Sequence, residues 1–260
     1  MPLDPGTPAE APTRTAELKV RGLTKSFGRA APVFAGISFE VPHGASVALV
    51  GANGTGKSTL LRCCLGLIPA DSGEVELLGQ QTGALGQGAR RRLRARTGMV
   101  AQSHNLVPRL SVLSNVQHGL LGSGAGPRYW SHALAPRRAR EAAMAALEEV
   151  GMADLALRRA DGLSGGQSQR VAIARALVHA PRFLIADEPT ASLDPAAGEE
   201  VMALFFRLVR SEGVTVVFTS HNISHALGYG DRVLGLAGGR LAIDADAAAL
   251  SERDLGALYG

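Results

Sequence analysis

The chain has 260 residues, of which 46% are hydrophobic and 19% charged, so it is long enough to bury one large domain or one domain with an insertion. Its longest apolar stretches, GASVALVG and RFLIADEP, are far shorter than the roughly 20 apolar residues of a membrane-spanning helix. The formal net charge of +4 owes much to GARRRLRARTG, residues 88–98, which is interpreted as a solvated face rather than a site for nucleic acid or lipid headgroups.

The N-terminal part of the chain divides into a predicted tail and a strand-rich region. Residues 1–16 are rich in Pro and Ala and lack periodicity, which predicts a disordered tail without the pattern of a signal peptide. From Glu17, the short runs ELKV, GISFEV and SVALV predict strands, and the last leads into a glycine loop and a helix. That helix carries the only cysteines, Cys63 and Cys64, whose adjacency favours reduced core thiols and a cytosolic protein.

The middle of the chain has a different character. Residues 103–162 contain two stretches with helical spacing, LSVLSNVQHGLL and RRAREAAMAALEEVG, separated by the Gly- and Pro-rich GSGAGPRYWSHALAP. Strand and helix patterns then alternate again, through RFLIADEP, VTVVFTS and a predicted hairpin, DRVLGLAGGRLAID, to a last short helix. The sequence therefore predicts a single domain over 17–260, with a core of about 17–102 and 163–260 and a helical subdomain of about 103–162.

A phosphate-binding loop is predicted directly after the strand SVALV. Eight residues fit the pattern G-x-x-x-x-G-K-[ST]: Gly51, Ala52, Asn53, Gly54, Thr55, Gly56, Lys57 and Ser58. Glycines allow the backbone N–H groups to point at phosphates, lysine adds a positive charge, and serine offers a hydroxyl to Mg²⁺. A glycine-rich turn would satisfy the pattern alone, but the strand before it and the helix after it favour phosphate binding.

Polar residues are predicted at the ends of three strands. Asp187 and Glu188 end an apolar run, and because neighbouring strand residues point to opposite faces, Asp187 suits a Mg²⁺ site and Glu188 suits polarising the attacking water. The alternative interpretation is that both acids are simply exposed to solvent after the strand. His221 ends the strand 214–220 and is expected to contact the γ-phosphate or orient Glu188. Gln102 ends the strand TGMVAQ and is expected to reach the metal or the water and to move with the helical insertion.

A second anion site is predicted at LSGGQSQR, residues 163–170. Ser164, Gly165 and Gly166 precede or open a predicted helix, where unpaired N–H groups and the positive end of the helix dipole favour an anion. The chain thus has two predicted phosphate-binding helix starts that are far apart in sequence.

These motifs together resemble the ATP-binding-cassette (ABC) family. The resemblance covers nearly the whole chain after the predicted tail and rests on GANGTGKST, Gln102, LSGGQSQR, FLIADEPTASLDP and TSH, which occur in the family's order. It implies an α/β fold with a P-loop NTPase (RecA-like) core, an antiparallel β subdomain and an inserted helical subdomain. It also implies ATP hydrolysis, with ATP and Mg²⁺ as the ligands.

The resemblance also implies how the two anion sites are used. Two cassettes form a head-to-tail dimer, expected to be a homodimer, in which each ATP lies between the phosphate loop of one subunit and the LSGGQ helix of the other. Ser192, Leu193 and Asp194 would form a loop that crosses to the partner, and Phe27 would stack on adenine. The implied nucleotide contacts are Phe27, Gly51, Ala52, Asn53, Gly54, Thr55, Gly56, Lys57, Ser58, Thr59, Ser164, Gly165, Gly166, Gln167 and Asp194. The implied metal site is Ser58, Gln102 and Asp187, and the implied catalytic residues are Glu188, His221 and Gln102.

Within the family the chain resembles the ATP-binding subunits of phosphonate importers, on NLVPRLSVLSNVQHGLLG, EEVGMADLALRRADGLSGGQSQRVAIARAL and DLGALYG. That group implies integral membrane permease subunits and, indirectly, a solute-binding protein as partners, at the cytoplasmic face of the membrane. TSHNISHA and Thr190 differ from the residues expected for this group. The alternatives are a soluble ABC ATPase acting on nucleic acid or ribosomes, which the arginine cluster alone supports, and an importer or exporter motor for another cargo. No nucleic acid partner is expected.

Overall fold

A six-stranded sheet organises the computed structural model, which describes residues 15–28, 31–123, 129 and 134–259. Its strand order is β10-β9-β3-β8-β7-β6, and all neighbouring pairs are parallel except β9 with β10. The strands are β3 Ser46–Val50, β6 Thr97–Val100, β7 Phe183–Ala186, β8 Thr215–Thr219, β9 Arg232–Ala237 and β10 Arg240–Asp246. Every residue of β3, β7 and β8 is buried, which requires cover on both faces of the sheet.

A second, antiparallel sheet covers part of one face. Its order is β2-β1-β4-β5, and its strands are β1 Ala16–Lys25, β2 Phe34–Pro42, β4 Ser72–Leu77 and β5 Gln80–Gln81. Buried and exposed residues alternate along β2, as in a strand with one face against the core. The two sheets and the helices confirm the predicted α/β fold class.

Eight α-helices pack around these sheets in the described part of the chain. They are α1 Lys57–Cys64, α2 Gln87–Arg94, α3 Val112–Gln117, α4 Arg137–Glu149, α5 Gly165–Leu177, α6 Pro195–Ser211, α7 Ile223–Tyr229 and α8 Glu252–Gly256. Helices α3, α4 and α5 pack against one another, and α5 also packs against α6 and β6. Within the described residues, no helix is long and apolar enough to cross a membrane.

Two hydrophobic clusters lie on opposite faces of the large sheet. Ala48 and Val50 of β3 join one cluster with α4, α5 and α6, while Val47 and Leu49 join the other with α1 and the small sheet. Cys63 and Cys64 are buried and free within the second cluster, as predicted. The alternation of side chains therefore places the central sheet between two layers. The parallel pairing of β3 and β7 with β8 brings the carboxyl ends of these strands to one edge of the sheet.

The structure differs from the sequence predictions at several boundaries. The predicted tail over 1–16 is one residue too long, because Ala16 opens β1, and residues 1–14 of that tail lie outside the described residues. Strands β4 and β5 were not predicted, and residues 88–94 of the arginine cluster lie in helix α2. The division at residues 103 and 162 stays a prediction, although the described residues between them form helices and only one isolated bridge.

Candidate active site

The phosphate loop connects the end of β3 to α1. Two of its glycines have no room for a side chain: a Cβ on Gly51 would lie 2.3 Å from the carbonyl oxygen of Leu236, and one on Gly56 would lie 2.5 Å from Val33 Cγ1. Both also have positive φ angles, 147° and 98°, that disfavour other residues. The backbone is thus held in a curl that only glycine allows at these two positions.

Lys57 opens α1 and turns its side chain back over this curl. Its Nζ donates hydrogen bonds to the carbonyl oxygens of Gly51, at 2.7 Å, and Ala52, at 3.0 Å. Burial lowers the pKa of the Lys57 ammonium, whereas the nearby carboxylates of Glu188 and Asp187 oppose that shift. A positive charge placed over a ring of backbone groups fits a polyphosphate better than it fits an uncharged ligand.

The other loop residues complete the curl. Thr55 donates from its hydroxyl to the carbonyl oxygen of Ala52 at 2.9 Å, which closes the turn. Asn53 and Gly54 are exposed at the tip, and Ser58 and Thr59 follow Lys57 in the first turn of α1 with partly exposed side chains. The first turn of a helix carries unpaired N–H groups, so this arrangement can bind phosphate oxygens.

A hydrogen-bonded set of side chains links α1 to the ends of β7 and β8. Ser58 Oγ donates to Asp187 Oδ1 at 3.1 Å, and Thr219 Oγ1 donates to the same oxygen at 2.9 Å. Asp187 is only 8% exposed, and its backbone N–H donates to the carbonyl oxygen of Val100 at the end of β6. Hydroxyl and carboxylate oxygens in this arrangement are the ligand types that Mg²⁺ prefers.

Thr219 is a site residue that sequence reasoning missed. Its hydroxyl donates to Asp187 and also accepts the backbone N–H of Glu188 at 2.8 Å, so one fully buried side chain positions both acids. The available signal was its place in TSH, as a polar residue that follows the apolar run of β8.

Glu188 and His221 form a contact at the same edge of the sheet. His221 Nε2 and Glu188 Oε1 are 2.5 Å apart, with the imidazole N–H donating to the carboxylate. The side chains are 36% and 14% exposed, so the pair is accessible to water but partly shielded. A carboxylate oriented by an imidazole can accept a proton from a water molecule.

The prediction that Asp187 and Glu188 point apart is consistent with their different partners, but the reason given for it was wrong. Both residues lie beyond β7, which ends at Ala186, so strand alternation does not separate them. Glu188 instead has a φ angle of 50°, in the left-handed region that non-glycine residues rarely adopt. The turn directs its side chain to His221 while Asp187 stays with Ser58 and Thr219.

Gln102 and Phe27 lie on exposed parts of the chain. Strand β6 ends at Val100, so Gln102 does not end the strand as predicted but lies in the following bend, exposed to solvent. Phe27 is 51% exposed, with Lys25 Nζ 5.3 Å from its ring centroid. Asp71 holds that ammonium at 2.8 Å, which fixes the position of the charge beside the ring.

The helix start at Ser164 is a separate, well-formed structure. Ser164 is the N-cap of α5: its Oγ accepts the N–H of Gln167 at 3.3 Å, and its own N–H donates to Gln167 Oε1 at 3.0 Å. The hydroxyl hydrogen of Ser164 is still available to donate to an anion. Among the described residues, no hydrogen bond or ion pair of 164–167 reaches the phosphate loop.

A cleft joins this helix start to the beginning of α6. Its lining includes Ser164 to Gln167 and Ser192 to Asp194. A Cβ on Gly165 would lie 3.1 Å from Leu193 Cδ2, and Asp194 caps α6 by accepting the N–H of Ala197 at 3.0 Å. The structure therefore brings together two sets of predicted residues, one at the phosphate loop and one at this cleft.

Comparisons with known proteins agree on the family. A profile described as ABC transporter matches residues 34–191. The phosphate-import ATP-binding protein PhnC of Mycolicibacterium smegmatis is 46% identical, covering 92% of this chain and 90% of its own length. The phosphonates import ATP-binding protein PhnC of Stutzerimonas stutzeri is 46% identical, covering 94% and 90%. A dimeric post-hydrolysis structure of the ATP-binding cassette MJ0796, bound to ADP and Pi, has a TM-score of 0.77 at 30% identity, covering 88% of this chain and 98% of the other.

Proposed function

The chain belongs to the ABC transporter family and is an ATP-binding ATPase, and from this premise we propose that it powers the import of phosphonate or a related phosphorus oxyanion. Relatives of equal identity are named for phosphate import and for phosphonates import. Both cargoes present tetrahedral phosphorus with anionic oxygens, so the shared chemistry defines the proposed cargo class.

The phosphate loop supplies the ATP site in this proposal. The N–H groups of residues 51–59 and the Lys57 ammonium bind the phosphates, and Phe27 stacks on the adenine. Gly51 and Gly56 support this assignment because their positive φ angles curl the backbone at positions where a side chain would meet Leu236 or Val33. Lys57 would exchange its bonds to Gly51 and Ala52 for bonds to phosphate oxygens.

Ser58 and Asp187 are the residues that would hold Mg²⁺, with Gln102 as a third oxygen ligand. The Ser58 hydroxyl oxygen and the Asp187 Oδ1 oxygen lie 3.1 Å apart, and oxygens of these two types suit a small hard cation. Bound there, Mg²⁺ would neutralise charge on the phosphates. Glu188 then orients and deprotonates the attacking water, and His221 holds the Glu188 carboxylate in position.

The cleft at Ser164 serves a second copy of this chain. In a head-to-tail homodimer, Ser164 to Gln167 donate to the ATP held by the partner's phosphate loop, and Asp194 lies in the loop that contacts the partner. The preformed cap of α5 supports this assignment, because it orders the glycines and leaves the serine hydroxyl hydrogen free. The dimeric form of the solved relative supports the same assembly.

The proposed location is peripheral, at the cytoplasmic face of the membrane. Integral permease subunits would receive the movement of the predicted helical subdomain, about 103–162, and a solute-binding protein would deliver the cargo. This subdomain lies between β6 and β7 and begins directly after Gln102. No nucleic acid partner belongs to this proposal.

The contact between Glu188 and His221, 2.5 Å long and next to the phosphate loop, is the observation that carries the proposed ATPase mechanism.

The test of the proposed cargo uses the full chain purified with the membrane protein that accompanies it, reconstituted into liposomes with its solute-binding protein. Methylphosphonate or phosphate should stimulate ATP hydrolysis and accumulate inside, whereas sulfate and a neutral sugar should not. Stimulation by sulfate or the sugar, but by neither phosphorus oxyanion, would contradict the proposed cargo.

A further inference from the structure

Arg175, near the end of α5, is bonded to the loop that follows Gln102. Its Nη1 donates to the carbonyl oxygen of Asn105 at 2.6 Å, and its Nη2 donates to that of His104 at 2.6 Å. Asn105 has a φ angle of 51°, in the left-handed region, so the loop is held in an uncommon conformation at the point of contact. A planar guanidinium that binds two successive carbonyls fixes both the position and the orientation of that loop.

The same turn of α5 is packed tightly against its other neighbours. A Cβ on Gly98 of β6 would lie 2.8 Å from the carbonyl oxygen of Ala176, and one on Gly119 would lie 2.2 Å from that of Arg175. Backbone therefore meets backbone on two sides of this turn, while the Arg175 side chain holds the loop on a third. The C-terminal end of α5 can shift little without moving the segment around Gln102.

We propose that Arg175 is a positioning residue that couples the Gln102 loop to Ser164, the N-cap at the other end of the same helix. Arg175 lies eleven residues after Ser164, which corresponds to about 16 Å along the helix. A tilt of about 5° at Arg175 would displace Ser164 by about 1.4 Å. A misplacement of about 1 Å in a catalytic site costs about 100-fold in rate, so the coupling is large enough to control hydrolysis.

This inference rests on the proposed function, in which Gln102 would be an oxygen ligand of the Mg²⁺ that accompanies ATP, and Ser164 faces the ATP of a partner subunit. Movement of the loop on ATP binding is transmitted through the two carbonyls to α5, and α5 then presents Ser164 to the partner. The coupling predicts that loss of the guanidinium separates two properties: ATP binding at the chain's own loop stays intact, and completion of the dimeric site fails.

The test compares Arg175→Met, Arg175→Lys and a control, Arg207→Met, which changes an exposed arginine on α6. Arg175→Met should keep the ATP affinity of the monomer and lose about 10- to 100-fold in kcat. Arg175→Lys should be intermediate because one ammonium cannot bind two carbonyls as a fork. Arg207→Met should behave as the unaltered chain in both measurements.

Hydrogen exchange in a Glu188→Gln background provides a readout that a purely structural role would not change. ATP should protect the amides of 102–106 and of 164–168 in Glu188→Gln, but only the first group once Arg175→Met is added. Equal protection of both groups and an unchanged kcat would overturn the coupling. Should Arg175→Met not fold, Arg175→Lys decides: a lower kcat at unchanged ATP affinity supports the proposal, and an unaltered kcat overturns it.

Different outcomes contradict the proposed function and the role of Arg175. Absence of an ATP-driven dimer in Glu188→Gln alone would contradict the proposed function. A dimer that forms in Glu188→Gln, and forms equally well with Arg175→Met added, would contradict only the role of Arg175.

Discussion

Replacement of Thr219 by valine tests how the two acids of the site are held. Valine has nearly the same shape as threonine, so the change removes one hydroxyl and leaves the packing of β8 almost intact. The hydroxyl donates to Asp187 Oδ1 at 2.9 Å and accepts the N–H of Glu188 at 2.8 Å, and Thr219 is 0% exposed. Both bonds are therefore lost at a position that water does not reach.

The expected cost follows from these two bonds. A hydrogen bond to a charged group contributes about 1.5 to 3 kcal/mol, and a buried N–H left unpaired costs about 1 to 3 kcal/mol. Because both effects arise from one hydroxyl, they are not additive, and we expect the free energy of unfolding to fall by about 3 kcal/mol. For a chain of this size, that corresponds to a decrease in Tm of about 6 to 12 °C.

Thr219→Val should also lower kcat, because the left-handed turn at Glu188 loses the bond that holds its backbone. The assay is urea unfolding together with ATPase kinetics. Thr219→Ser is the matched control: it keeps the hydroxyl and loses one buried methyl group, at about 1 kcal/mol. A valine variant as stable and as active as the serine variant would refute this account of Thr219.

Two further substitutions test other parts of the site, and a third tests the hydrogen bond that Tyr229 of α7 donates to Glu199. Glu188→Gln should still bind ATP but lose about 100- to 10,000-fold in kcat, measured by phosphate release, because the amide cannot accept the proton of water; a near-normal kcat would contradict its role. Phe27→Ala should raise the apparent KM for ATP, since base stacking is worth about 1 to 3 kcal/mol, while leaving kcat at saturation intact; Phe27→Tyr should be nearly silent. Burial and the bond to Glu199 raise the pKa of Tyr229 to about 12. The unfolded chain releases that proton near pH 10, so the stability that Tyr229 contributes is present below pH 10 and lost as the pH rises through about 12. Absorbance titration should show a late-ionising phenol that Tyr229→Phe removes; loss of a phenol that ionises near pH 10 in this variant would contradict the assignment.

The phosphate loop was predictable because each of its positions is required by chemistry or by space. Gly51 and Gly56 lie where a side chain would meet other atoms, and Lys57 lies over the backbone curl. A local sequence motif therefore captures all of these requirements. The buried strands were predictable for a similar reason, since a strand covered on both faces must be continuously apolar.

Contacts between residues that are distant in sequence were not predictable in the same way. Thr219 appears in the sequence as the polar end of a strand, and its bond to Asp187 spans 32 positions. Arg175 appears as an ordinary helix residue, and its loop partners lie 70 and 71 positions away. The turn at Glu188 also escaped prediction, because a positive φ angle at a glutamate has no local sequence signal.

The central claim is that each ATP is held by Lys57 of one subunit and Ser164 of another, and a mixing experiment tests it most directly. Two inactive variants are prepared in the Glu188→Gln background, one with Lys57→Ala and one with Ser164→Arg. In a mixed dimer both defects fall at one interface, and the other interface keeps an intact lysine and an intact serine. Verified mixed dimers should therefore trap one ATP, while each variant alone traps none. Mixed dimers that trap no ATP would contradict the shared site.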